Sequence, residues 1–169
     1  EEPADVLRTT ARYAAMRIGR YASVYSREAD GNLRRVAVAH RDATIEREIE
    51  AQGQPSTIPE IVAKVAETGV GLMNADVVDD NDVFTAASQL VVPIRTASRT
   101  LAVLCIGDDG PLPLGALELE LATDFGLRAG SATERTRLWQ ASQRQRAIDQ
   151  RIVEVLQGEA GADHEHDRR

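Results

Sequence analysis

Apolar residues return at helical spacing at both ends of the chain and at strand spacing between them. Leu7, Ala11, Ala14 and Ile18 recur at i, i+4, i+7 and i+11, which predicts a helix over 4–18, opened by Pro3 and stopped by Gly19. Tyr21–Ser26 and Leu33–His40 read as two strands around Ala29-Asp30-Gly31-Asn32. Asp-Gly there predicts a hairpin, because glycine supplies the positive φ of the turn. Residues 41–57 are polar, with one short helix expected around Thr44–Gln52. A second is expected over Pro59–Thr68, with Gly69 after its end. A brief strand, Gly71–Asn74, runs into the acidic loop Asp76–Asp82. Gln89–Arg95 and Thr100–Gly107 flank Thr96-Ala97-Ser98-Arg99 as a second hairpin. Both strands are apolar without alternation, the pattern of sheet centres covered on two sides.

From Leu114 the period becomes helical again and lasts to about Gln157. Helices of this length are usually coiled coils or connectors. Leu138, Ala141, Gln145, Ile148, Ile152 and Val155 follow the alternating three-four spacing of a coiled-coil seam. Ala122, Gly126 and Gly130 form a small-residue stripe that would let another helix approach closely. Residues 158–169 are polar and aperiodic, and a disordered tail is expected there.

Composition narrows the class. With 169 residues and 43% hydrophobic content, the chain is one domain plus extra helix and can bury a core. A net charge of -7 argues against nucleic acid binding through a broad basic face. The longest apolar runs fall well short of the roughly 20 residues that cross a bilayer, so no membrane span is expected. The acidic start Glu1-Glu2-Pro3 does not resemble a signal peptide. A start without Met leads us to expect an excised or processed domain. One cysteine, Cys105, excludes an internal disulfide framework and fits a reducing cytoplasm. A single lysine among twenty basic residues, with abundant alanine, suggests a high-GC source.

The order helix, hairpin, two short helices, acidic loop, hairpin, long exit helix resembles a GAF domain. Ser88-Gln89-Leu90-Val91-Val92-Pro93-Ile94 and Leu101-Ala102-Val103-Leu104-Cys105-Ile106 are similar to that family's two central strands, with Ala102 where many members carry glycine. Leu121–Phe125 through Glu134–Leu138 is similar to the family's last helix. The segments Arg144–Ile148 and Ile152–Gln157 resemble the helix that precedes SpoIIE-type serine/threonine phosphatases in actinobacteria; after Gln157 the sequence departs from that pattern into Gly158-Glu159-Ala160-Gly161. The resemblance implies an α+β fold: a central antiparallel sheet of five or six strands, N- and C-terminal helices on one face and a ligand pocket on the other. It also implies a sensor domain over 1–140, a helical coiled-coil extension over 141–157 and a tail over 158–169.

Catalytic and metal-binding patterns are not found, and no enzymatic activity is expected. Lys64 has no preceding Asn to match the family's cyclic-nucleotide signature. Cys105 lies mid-strand, where a free thiol acts as a small buried hydrophobe, and no neighbouring cation activates it. His40 ends a strand and could ligate haem, although a hydrogen-bonding role suits such a position better. The acidic loop lacks the glycine and distant Glu of an EF-hand; a capped turn over the pocket explains it. His164 and His166 lie in the expected tail.

The resemblance therefore implies a non-catalytic cytoplasmic sensor that binds an unidentified small molecule near His40, Met73, Asp76, Phe84, Val92 and Val103. Its cofactor, if any, is unknown. Its state would pass through a homodimeric exit helix to an output phosphatase or kinase domain. A ligand-free dimerisation scaffold with a filled pocket, and a haem or redox sensor using His40, are the alternatives.

Overall fold

A computed structural model describes residues 2–75 and 86–166. Helix α1 (Pro3–Arg17) leads into the hairpin β1 (Tyr21–Arg27) and β2 (Leu33–His40). Two short helices follow, α2 (Ala43–Ala51) and α3 (Glu60–Thr68), then β3 (Leu72–Ala75), β4 (Ser88–Arg95), β5 (Thr100–Asp108) and α4 (Ala116–His166). The chain divides into two compact units, Glu1–Glu134 and Arg135–Arg169. Helix α4 continues to His166, past Gly158, where the sequence suggests a disordered tail.

The glycine signals act as their chemistry requires. Gly31 takes φ +86° in the β1–β2 turn, and Gly69 ends α3 at φ +65°. Asp42 accepts hydrogen bonds from the Thr44 and Ile45 amides at the start of α2. Arg41 donates from Nε to the Ala15 carbonyl at 2.9 Å and from Nη2 to Met16. It thereby satisfies terminal carbonyls of α1 with a cation, where the helix dipole favours one.

All five strands form one antiparallel sheet in the order β2-β1-β5-β4-β3. β5 holds the centre and is buried along nearly its whole length, as its apolar run on both faces predicts. One face carries Leu7, Ala11, Ala14 and Ala15 of α1 and Ala122 and Ala129 of α4, packed on Val24, Leu90, Val92, Ile94, Leu104 and Ile106. Val62 and Val65 of α3 cover the other face, over Tyr25, Val91, Val103 and Cys105. Adjacent residues of β4 and β5 thus supply alternate faces.

The small-residue stripe on α4 meets a strand rather than a second helix. A Cβ at Gly126 would collide with the Pro93 carbonyl, and one at Gly130 with the Arg95 backbone. The helix lies directly on the backbone of β4, which only glycine permits. Arg99, in the β4–β5 turn, adds an ion pair to Glu134 of α4 at 2.8 Å.

Candidate functional site

The residues expected around a pocket do not converge on one face. Val103 faces α3 within the buried layer containing Tyr25, Val91 and Cys105. Val92 belongs to the layer beneath α1 and α4. The expected placement of Val92 beside Val103 is therefore corrected: neighbouring strand positions of opposite parity cannot share a face. Met73 lies on the edge strand β3 with half its surface exposed. Asp76 and Phe84, with the acidic loop, lie outside the described residues.

His40 is buried at the end of β2. Its Nδ1 accepts the Asp42 amide at 2.9 Å, and its own backbone N–H donates to Glu46 Oε2 at 2.8 Å. An Nδ1 that accepts places the neutral ring's proton on Nε2. Burial of the ring between β2 and the start of α2 leaves no open side for a macrocycle, so this site does not fit a haem. The side chain instead helps order the β2–α2 junction. Among the described residues, no group of three or more His, Cys, Asp and Glu could hold a metal ion.

Desolvation governs the titratable groups under α3. Burial pushes the Cys105 thiol up to about 12, only partly opposed by a hydrogen bond with Ser23. Burial likewise raises Tyr25 well above the usual phenol range. These groups stay neutral at physiological pH, and nothing activates the thiol as a nucleophile.

An open cleft of about 470 Å³ occurs instead at the outer edge of β2. Helix α1 contributes Arg8, Thr9 and Arg12; β2 contributes residues 35–38; Glu50, Gly53 and Gln54 close the far side. The strand edge is partly sealed by side chains. Gln54 Oε1 accepts the Arg35 N–H at 3.1 Å, and its Nε2 donates to the Arg35 carbonyl at 2.8 Å. Glu46, also buried, accepts from both His40 N and Arg12 Nη2. Such caps hide the exposed ladder groups of an edge strand. Val36 is the extra residue of a bulge, since Val24 pairs with Ala37 and Tyr25 with Arg35.

The sequence reading missed Arg8, Arg12 and Arg35 as a group. Each looks like an ordinary solvated arginine, and only the folded register brings them together. Arg35 is buried to 8% exposure, with Nη2 donating to the Ile49 and Gly53 carbonyls.

Among the described residues, no helix is long and apolar enough to cross a membrane. Comparison with curated proteins gives no match. Among solved structures, the chain is similar to the GAF-B domain of DevS from Mycobacterium smegmatis, at 25% identity and TM-score 0.65, covering 85% of this chain and 98% of that one. It also shares its fold with the red/green cyanobacteriochrome NpR6012g4 in the red light-absorbing state, at 14% identity and TM-score 0.64 over 83% of this chain and 99% of that one. A domain of a putative two-component sensor histidine kinase protein from Sinorhizobium meliloti 1021 matches at 16% identity and TM-score 0.58, over 82% and 95% of the two chains. The GAF domain family model covers residues 2–132, which include α1, the whole sheet and the glycines of α4 that touch it. By this match and its five-stranded architecture, the chain belongs to the GAF family.

Proposed function

We propose that this chain is the sensory, regulatory part of a signalling protein: it binds a small molecule and passes its state through α4 to an output domain or partner. The observation that carries the reading is the backbone contact of Gly126 and Gly130 with β4. A helix seated on strand backbone has no intervening side chains to absorb a displacement of the sheet. A change at the sheet therefore reaches α4 as a change of seating rather than as local repacking. The output domain is a phosphatase of the SpoIIE type or a kinase, and the setting is the cytoplasm.

Dimerisation supplies the relay. Tyr13 and Met16 on α1 and Leu117, Leu121 and Leu127 on α4 are exposed large apolar residues within the first unit. Leu138, Ile148 and Ile152 of the seam are more than half exposed in the second. These positions suit a second copy of the chain, with a parallel seam along α4.

Met73 and Val103 remain ligand contacts in this reading, together with Asp76 and Phe84; His40 serves the β2–α2 junction, and Val92 serves the core beneath the helices. A second reading, a ligand-free dimerisation scaffold, draws support from the tight apolar layer under α3. Trp139 is the only tryptophan, sits on α4 and is largely exposed, so its emission reports the helix. A metabolite panel followed by thermal shift and Trp139 fluorescence separates the two readings. The sensor predicts at least one compound that raises Tm and changes the emission. A panel without any binder, from a protein that sediments as a dimer, would favour the scaffold.

A further inference from the structure

The geometry points to a binding site for a small organic oxyanion, a carboxylate- or phosphate-bearing metabolite, in the cleft at the edge of β2. This rests on the sensor reading above and adds to it a second site of stated ligand class, at the sheet edge opposite β3 and Met73. Three features support it independently.

The first is charge. Arg8, Arg12 and Arg35 are among the residues lining the cleft, with Glu50 as the one carboxylate among them. The chain as a whole is acidic, at -7, so three arginines among the residues lining one concavity run against its average. Arg8 also pairs with Asp5, and Arg12 with Glu46. Arg8 and Asp5 are both substantially exposed, and such pairs exchange partners at little cost.

The second is the state of Arg35. It is more than nine-tenths buried, yet its hydrogen-bond acceptors are the neutral carbonyls of Ile49 and Gly53. Among the described residues no carboxylate lies within ion-pair distance of it. A buried cation held only by dipoles gains most from an arriving counter-ion, because the surrounding dielectric is low. Planar guanidinium matches both carboxylate and phosphate oxygens.

The third is the floor. By ladder alternation, Val38 presents its N–H and C=O in the direction in which the His40 N–H meets Glu46, away from β1. Val38 lies between the Gln54 and Glu46 caps and lines the cleft. It offers a donor and an acceptor beside the apolar surface of Val36 and Ala37. A bare inorganic ion would use the arginines alone. An organic body of a size suited to about 470 Å³ uses the strand edge as well.

Isothermal titration calorimetry tests this with citrate, glutarate, phenyl phosphate and inorganic phosphate at constant ionic strength. The wild-type chain and Arg8→Gln, Arg12→Gln and Arg35→Gln variants are compared, with circular dichroism as the check on folding. The expected result is saturable binding of at least one organic probe, tighter than that of inorganic phosphate. It should weaken by about tenfold or more in Arg8→Gln, an exposed position whose loss leaves the fold intact. Carboxylate probes binding better than phenyl phosphate, or the reverse, identifies the head group. Absence of saturable binding by all four probes overturns the proposal, as does equal affinity in wild type and Arg8→Gln. A neutral metabolite that binds both proteins equally and shifts Trp139 emission keeps the sensor reading and removes this cleft from it.

Discussion

Arg12 and Glu46, 34 residues apart, meet at 2.6 Å and join α1 to α2. The pair is unequal: Arg12 is largely exposed, whereas Glu46 is buried and also receives the His40 N–H. Removing the two partners therefore has different consequences. Arg12→Ala should cost less than about 1 kcal/mol, as for exposed ion pairs. Glu46→Ala strands a buried backbone donor and should cost about 1–3 kcal/mol. Urea unfolding midpoints of the two variants measure the asymmetry; equal losses would contradict it.

Gly126 and Gly130 invert a familiar rule. In a helix interior, Gly→Ala normally stabilises by up to about 1 kcal/mol. Here the added methyl meets strand backbone, and Gly130→Ala should instead destabilise by about 1–3 kcal/mol, the range for overpacking. The sign of the change in urea midpoint decides the matter.

Burial of Cys105 and Tyr25 predicts an alkaline limit to stability. Both have pKa values raised by desolvation, Cys105 from 9.0 to about 12. The unfolded thiol loses its proton near 9.0, while the folded one retains it until about 12. Stability is thus unaffected below 9.0 and falls as pH rises from there, the unfolded state being the one that releases protons. Unfolding midpoints should drop as pH rises from about 9 towards about 12, and less steeply in Cys105→Ala. A thiol reagent should modify the native protein only after denaturation.

Asp42 has the opposite sign. Hydrogen bonds from the Thr44 and Ile45 amides lower its pKa below 3.8. Its contribution is present above that value and fades as pH falls through the lower folded-state value. Asp42→Ala should lower the urea midpoint at neutral pH, and the difference from wild type should narrow in strong acid.

Ile148 and Ile152, exposed on α4, test the proposed seam. Sedimentation of the wild-type chain at tens of micromolar should give a dimer, and Ile148→Glu with Ile152→Glu a monomer with an unchanged sheet. A wild-type monomer would sink the dimeric relay.

Strand positions were legible because β-branched runs bounded by Gly and Asp leave little choice. The hairpin at Gly31, the cap at Gly69 and the burial of Cys105 followed from local chemistry alone. Which face each residue of β4 takes was not legible. Leu90 to Ile94 lacks a polar position that marks the outside, so Val92 and Val103 could not be told apart by pattern. The stripe on α4 specified close approach but not the approaching element. The cleft was invisible for another reason. It depends on Gln54 and Glu46 reaching across to strand backbone, and on a bulge at Val36, none of which leaves a periodic trace.

The central place of β5 also orders events in time. During synthesis β1 and β2 emerge together, but the strand that pairs β1's other edge ends only at Asp108. The early hairpin must wait, one edge unpaired, while more than half the domain is made. β4 likewise meets its inner neighbour only after the following turn. Sheet closure is consequently a late, long-range event with a large loop-closure cost. Nascent chains ending before Thr100 should contain two separate pieces of sheet and no common core, exposed to chaperones and proteases until β5 joins them.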